Sequence, residues 1–418
     1  MKEFPRSEFG KNVLTLITGT SVAQAIPIAL SPVLTRLYTP EDFGTLYLFV
    51  SISAVFSSIA TGRYELAIML PLRDEEAINV AALATFIAIG LSLAILAPAI
   101  ILNDEIVSLL GKEELGWWLY FVPLVVFMTG FFNVLNFLNT RKKYYEDIAR
   151  SNIYKAFVLG CVQLVAGAIK LGVAGLISGQ IISQAFANYR LGKNAVRNYS
   201  LSEVSVVRIK NLASRYINFP KYSMWSVLAN ALSHNLTNII ISLHFSVITL
   251  GFYSFAQKML GMPVALIGNS VGQVYFQEAT KEKAETGKCV ATFKKTSRGL
   301  MLCSLLVFGP LYFVLPTIFE AIFGADWRTA GEYAQITLPF VAIQFISGAL
   351  SNTNNIFEKQ KLALAWQLGL LVLSLVTIFV SIQFGLNFSE FLQAFTAILF
   401  GYYLLLYIIL LKVSEGKL

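Results

Sequence analysis

The chain has 418 residues, of which 56% are hydrophobic and only 13% charged, and its mean hydropathy is +0.66. Soluble domains carry roughly 45–50% apolar and about 25% charged residues, which excludes a water-soluble globular class here. The net charge of +8 would suggest a nucleic-acid partner in a soluble chain, but these charges are confined between long apolar segments.

Twelve apolar segments are each long enough to cross about 30 Å of hydrocarbon at roughly 1.5 Å per residue. They fall at about 13–34, 44–70, 77–102, 117–138, 148–169 and 173–191, then 222–245, 251–275, 296–319, 333–357, 362–384 and 388–411. Lys170-Leu171-Gly172 leaves almost no loop between the fifth and sixth. The first apolar segment is too long for a signal-peptide core and lacks a cleavage pattern, so it is expected to stay as anchor and span.

With the N-terminus placed inside, 25 of the 32 Lys and Arg fall in or beside inner segments, four in outer ones (Arg36, Lys112, Lys170, Arg328) and three within spans. Positive residues favour the cytoplasmic side, so both termini are expected there. The longest inner segment, 192–221, is basic and lies near the chain's midpoint. It links an expected N-terminal six-helix lobe, 1–205, to a C-terminal one, 206–418. No loop is large enough for an independent catalytic domain, so whatever the chain does is done within the membrane.

A weak internal repeat agrees with two halves. Thr39-Pro40-Glu41-Asp42-Phe43-Gly44 and Val247-Ile248-Thr249-Leu250-Gly251 each put a short loop and a Gly before an aromatic-rich span. Six spans per half give the halves parallel topology.

No Gly-rich phosphate loop, HExxH, GxSxG or paired-Asp motif is present, and no catalytic residue is assigned. Cys161, Cys289 and Cys303 are scattered and His234 and His244 lack a partner pattern, so no metal site or disulfide framework is expected. Asp74-Glu75-Glu76 reads as a solvated helix start that complements the helix dipole.

The intramembrane cations stand apart, because a charge at mid-bilayer costs roughly 2.5–3.5 kcal/mol on insertion scales. By helical rise, Arg63 lies about 10 Å from the inner end of the second span, and Lys155 is at similar depth in the fifth. Lys258 lies about 10–12 Å from the outer end of the eighth span, and Arg36 at the outer end of the first. Facing one lumen, they would form a positive path; the competing reading is snorkelling or ion pairing. Glu65 is a candidate coupling or pairing acid, although residues i and i+2 do not share a helix face. Asn133, Asn136, Asn230, His234, Asn238 and Asn352 form polar clusters on corresponding spans, suited equally to inter-helix bonding and to contacts with sugar hydroxyls.

Leu34-Thr35-Arg36-Leu37-Tyr38-Thr39-Pro40-Glu41-Asp42-Phe43-Gly44, Arg63-Tyr64-Glu65-Leu66-Ala67-Ile68, Pro71 and Asn139-Thr140-Arg141 carry a resemblance. The N-terminal third is similar to the oligosaccharide (O-antigen, polysaccharide repeat-unit) flippases of the polysaccharide-transport family, in the multidrug/oligosaccharidyl-lipid/polysaccharide exporter superfamily. The C-terminal half matches by span pattern alone. The resemblance implies an all-α polytopic membrane protein of about 12 helices, in two six-helix lobes around a central cavity that alternates between inward- and outward-open. It also implies a transporter and not an enzyme, in the bacterial inner membrane, moving polyprenyl-diphosphate-linked oligosaccharide from the cytoplasmic to the periplasmic leaflet. Arg and Lys suit a diphosphate, Arg by bidentate contact. Expected partners are that lipid-linked substrate, membrane lipids and other polysaccharide assembly proteins, with no nucleic acid. No cofactor is expected, and coupling to an H+ or Na+ gradient stays open. The main rival is a drug or cation exporter of the same superfamily, which would place acids deep in the lobes. A membrane enzyme acting on lipid-linked sugars would want a large outer loop, and a scaffold would leave the buried cations unexplained.

Overall fold

A computed structural model of the chain describes residues 6–110 and 113–417. Lys2 and Lys112 lie outside the described residues, as do the side chains of Arg6, Lys11, Glu113 and Glu114. The chain folds as two compact units, Met1–Leu243 and His244–Leu418. The expected division was at 205/206; the helix between the two boundaries is tied to the first unit by Asn238, which donates to Ser51 Oγ at 3.0 Å.

The first unit contains α1 (Arg6–Leu37), α2 (Pro40–Ser57), α3 (Asp74–Ile101), α4 (Asn103–Leu110), α5 (Glu113–Leu119), α6 (Val122–Arg141), α7 (Tyr145–Ala168), α8 (Val173–Asn198), α9 (Val206–Arg215) and α10 (Met224–His244). α1 packs on α7, α7 on α8, α3 on α6, and α6 on α8. Membrane helices gain little from burying apolar surface against each other, so close approach depends on small residues. Gly19 lies against Ala149, Gly160 against Leu30, and Gly167 against Leu37 and Tyr38, all on the α1–α7 seam. Tyr38 completes that seam by donating from its hydroxyl to Gln163 O at 2.6 Å. The tight fifth–sixth connection is real. α7 stops at Ala168 and α8 starts at Val173, with Lys170 (φ 59°) and Gly172 (φ 54°) left-handed between them.

The second unit contains α11 (Val247–Thr286), α12 (Val290–Phe323), α13 (Arg328–Leu350), α14 (Thr353–Ile356), α15 (Gln360–Gln383) and α16 (Phe388–Ser414). Gly331 allows α13 to approach α12 closely, since a Cβ there would sit 2.7 Å from Pro316 Cα. Phe255, Phe323 and Trp327 pack edge to face and tilted at 4.5–5.0 Å. The Glu282 carboxylate accepts from the backbone N–H of Ala291 (3.0 Å) and Thr292 (2.7 Å) at the start of α12. Partial burial would raise its pKa, but the hydrogen bonds from Thr292 and Ala291 hold it below the usual carboxylate range. The internal repeat reappears as helix capping. Thr39 caps α2 and Ser246 caps α11, each at the same offset before Gly44 and Gly251.

Each of the twelve expected spans coincides with a helix or a pair of helices. Among the described residues, seven segments are long and apolar enough to cross a membrane, including α3, α7, α12, α15 and α16. The five expected spans outside these seven lie on α1, α2, α8, α10 and α11; α8, α10 and α11 interleave Gln, Asn, Ser and Lys, and α2 is cut short. The chain is an all-α multi-pass membrane protein.

Three expectations change. The second span is not one helix to residue 70, because α2 ends at Ser57. The segment 192–221 is not a loop, since α8 runs to Asn198 and α9 fills 206–215. The fourth span is broken at 120–121, where Pro123 in the first turn of α6 cannot continue α5.

Candidate functional site

Arg63 owes its position to the way α2 ends. A capping box between Thr39 and Asp42 and a Pro at the first turn start the helix. After Ser57 the chain turns through residues 58–63 into a 3-10 helix, Tyr64–Met69. Gly62 (φ 59°) and Arg63 (φ 65°) are both left-handed, and for Arg this conformation costs about 1 kcal/mol or more. Outside a helix, residues i and i+2 can meet. Arg63 Nη1 lies 3.0 Å from Glu65 Oε1, and Thr61 Oγ1 donates to the other carboxylate oxygen. Of the two roles expected for Glu65, the structure shows pairing with Arg63, and the helix-face argument against that pair does not apply because the segment is not α-helical. The Glu65 side chain is 3% exposed and that of Arg63 23%, while Arg63 Nε is buried with no hydrogen-bond partner.

Lys155 stands in a different electrostatic setting. A cavity of about 400 Å³ lies between α2, α6, α7 and α8, lined on its polar side by Ser53, Ser57, Thr129, Asn133, Lys155 and Gln180. Lys155 Nζ donates to Gln184 Oε1 and sits 5.2 Å from the centre of the Phe132 ring. Gln184 and Asn188 in turn donate to Met128 O, at 3.4 and 2.9 Å, which orients the amides on α8. No carboxylate lines the cavity, and among the described residues Lys155 has no ion-pair partner. Ser53 Oγ is buried there without a hydrogen bond. The cavity thus holds one uncompensated positive charge and several neutral polar groups.

α6 connects these two places. Gly130 packs on the turn, where a Cβ would come within 2.9 Å of Ala60 Cβ, while Thr129 and Asn133 line the cavity. The turn thus packs one residue from the cavity-lining Thr129 of α6.

The other expected residues are dispersed. Arg36 is exposed and donates to Pro32 O of its own helix. Asn136 does not line the cavity, and its Oδ1 is buried without a partner. Asn230 and His234 are exposed on α10, and Asn238 bonds to Ser51. In the second unit Asn352 donates to Gly272 O at 3.1 Å, an inter-helix bond. Lys258, half-buried on α11, has no ion pair among the described residues.

The acidic triplet at the start of α3 stays solvent-exposed in the first helical turn, as expected, and is in addition ion-paired. Asp74 pairs with Arg141 (2.9 Å) and Lys142 (2.5 Å), Glu75 with Arg208 (2.9 Å) and Glu76 with Arg215 (3.5 Å). Arg141 also donates to Ile68 O (3.2 Å) and Leu72 O (3.3 Å), closing the last turn of the 3-10 helix. Tyr64 OH donates to Ala213 O of α9 at 2.9 Å. The Arg63-Tyr64-Glu65 element is thereby fastened to α6 through Arg141 and to α9 through Tyr64. Spacing alone could not reveal this, because the partners lie about 70 to 150 residues away in sequence. Arg141→Gln should lower the thermal unfolding temperature of detergent-solubilised protein by a few degrees. It removes one largely buried charged donor, worth about 1.5–3 kcal/mol, and an unchanged unfolding curve would refute the fastening.

The chain is 28% identical over 207 residues to the teichuronic acid biosynthesis protein TuaB of Bacillus subtilis (strain 168), covering 48% of this chain and 42% of that protein. It is 23% identical over 311 residues to the succinoglycan biosynthesis transport protein ExoT of Rhizobium meliloti (strain 1021), covering 72% and 59%. The chain thus spans about half the length of the curated relatives it matches. Its fold is similar to that of the lipid II flippase MurJ in an inward closed conformation, with a TM-score of 0.72 at 14% identity over 95% of this chain and 90% of that one. The polysaccharide biosynthesis protein family matches residues 33–332, which contain Arg63, the Lys155 cavity and the ion-paired start of α3, and the chain belongs to that family.

Proposed function

We propose that this chain is a flippase that carries polyprenyl-diphosphate-linked oligosaccharide repeat units from the cytoplasmic to the periplasmic leaflet of the bacterial inner membrane by alternating access. The observation that carries this reading is Lys155, an ammonium with only neutral partners that lines a cavity walled by both apolar side chains and several hydroxyls and amides. A diphosphate brings about two negative charges and matches it; Ser53, Thr129, Asn133 and Gln180 can exchange hydrogen bonds with sugar hydroxyls. Arg63, balanced by Glu65, is the second cationic station, and Glu65 serves as its pairing acid. Lys258 and Arg36 are proposed as further stations. The similarity to proteins named for teichuronic acid biosynthesis and succinoglycan biosynthesis transport supports a polysaccharide substrate, and the fold shared with a lipid II flippase supports a lipid-linked one.

Two uncompensated negative charges moved outward across an inside-negative potential of 100 mV gain about 4–5 kcal/mol. Coupling to H+ or Na+ is then needed chiefly to reset the empty carrier. The drug-exporter reading is disfavoured by the absence of any acid in the Lys155 cavity.

The test uses the full chain in vesicles with a fluorescent polyprenyl-diphosphate oligosaccharide added to one leaflet. Loss of lectin accessibility with wild type, and not with Lys155→Gln, is the expected result. Transport of ethidium with no movement of the glycolipid would overturn the assignment in favour of the exporter.

A further inference from the structure

A second cavity, of about 410 Å³, lies at the inner, basic ends of α3, α6 and α8. Its walls include Ile78, Phe131, Leu135, Ala195, Leu201 and Val204, and its one hydroxyl, Thr85 Oγ1, is already bonded to Ala81 O at 2.8 Å. It therefore offers a ligand nothing but apolar contact. Phe86, Val196 and Leu201 on its lining are 59%, 68% and 64% exposed, so the crevice opens on the outside of the bundle, where a membrane protein meets lipid.

The wall after α8 is built and not incidental. Asn79, fully buried, donates to Glu203 O at 2.9 Å and accepts from Ser205 N at 2.8 Å, which holds Leu201 and Val204 over the crevice. Nearby cations divide into two kinds. Arg141, Lys142, Arg208 and Arg215 are spent on Asp74, Glu75 and Glu76. Lys193 and Arg197, one turn apart on α8 and flanking the crevice residues Gly192 and Val196, are exposed and form no ion pair among the described residues.

We infer that this crevice holds one acyl chain of an anionic phospholipid of the cytoplasmic leaflet, with its phosphate on Lys193 and Arg197. Apolar walls select a hydrocarbon chain, and the two exposed cations on α8, each next in sequence to a crevice residue and without an ion pair among the described residues, select a negative headgroup. A crevice of this volume takes a single acyl chain; the much longer polyprenyl tail of the transported lipid would overfill it. The site is separate from the Lys155 cavity and does not depend on what that cavity binds.

The full chain in detergent, titrated with dipalmitoyl phosphatidylglycerol or dipalmitoyl phosphatidylcholine and followed by native mass spectrometry, tests this. Wild type should retain phosphatidylglycerol over phosphatidylcholine by roughly tenfold or more, given two surface cations. Lys193→Gln with Arg197→Gln, both exposed, should bring the two lipids to parity without removing them. Gly192→Leu, whose Cβ would lie 3.7 Å from Leu135 Cδ1, should fill the crevice and lose both. Equal retention of the two lipids by wild type would overturn the inference, and so would undiminished discrimination in the double variant, whether or not Gly192→Leu folds. Displacement of phosphatidylglycerol by polyprenyl phosphate at equal concentration would also overturn it, by assigning the crevice to the substrate's tail.

Discussion

Lys155→Gln should reach the membrane in normal amount, unfold at or above the wild-type temperature, and move diphosphate-linked oligosaccharide at least about a hundredfold more slowly. The two halves of this expectation have one cause. An ammonium held inside a membrane bundle by a glutamine and a ring face, with no carboxylate near, is a desolvated charge that the fold must carry at a cost. Glutamine keeps a donor for Gln184 and removes that cost. The same charge is what a diphosphate would use, and a close charge-assisted contact in a low-dielectric site is worth a few kcal/mol, hence the predicted loss. Lys155→Arg should retain part of the activity, because the charge persists in a bulkier group. Initial rates in vesicles and thermal unfolding of the same preparations check it. Wild-type transport by Lys155→Gln would remove Lys155 from the substrate path, and a lowered unfolding temperature would make it a structural residue instead.

Much of this arrangement was legible in the chain. Twelve apolar segments predicted the helices, and the depth of Lys155 in the fifth of them marked it as a charge needing a reason. Asn133 was legible as a polar residue on a neighbouring span, although the pattern could not say that it shares a cavity with Lys155 and that Asn136 does not. The break after Ser57 was hidden because the segment 44–70 is apolar or small apart from Arg63 and Glu65; hydropathy reports burial in lipid and is blind to backbone path. Its traces were Gly62 and the small residues before it, and those also suit an ordinary membrane helix. The partners of Asp74, Glu75 and Glu76 were illegible for another reason. Their first-turn placement has a sufficient local explanation in the helix dipole, whereas Arg141, Arg208 and Arg215 reach them only through the tertiary fold.

The second large effect is expected at Glu65. Glu65→Ala should lower the unfolding temperature steeply and reduce the amount of protein in the membrane. The carboxylate is almost fully buried and satisfies two donors at once, Arg63 Nη1 and Thr61 Oγ1. Removing one member of a buried pair leaves the other charge unpaired, at a cost of about 3–5 kcal/mol, which is a large part of a typical total stability of about 5–15 kcal/mol. The Arg63 guanidinium already has one buried N–H without a partner, so little else nearby can take up the loss. Combining Arg63→Gly with Glu65→Gln separates stability from function. Glycine accepts the left-handed backbone at φ 65° that arginine adopts under strain, and glutamine can still accept from Thr61. This double variant should unfold near the wild-type temperature, since replacing both members of a buried pair avoids stranding a charge. If Arg63 is a cationic station for the diphosphate, the double variant should nevertheless transport poorly, and Arg63→Lys should keep more activity than it does. A stable double variant that transports at the wild-type rate would show that the pair exists to hold the turn beside Gly130, and that Lys155 alone supplies the charge the substrate meets.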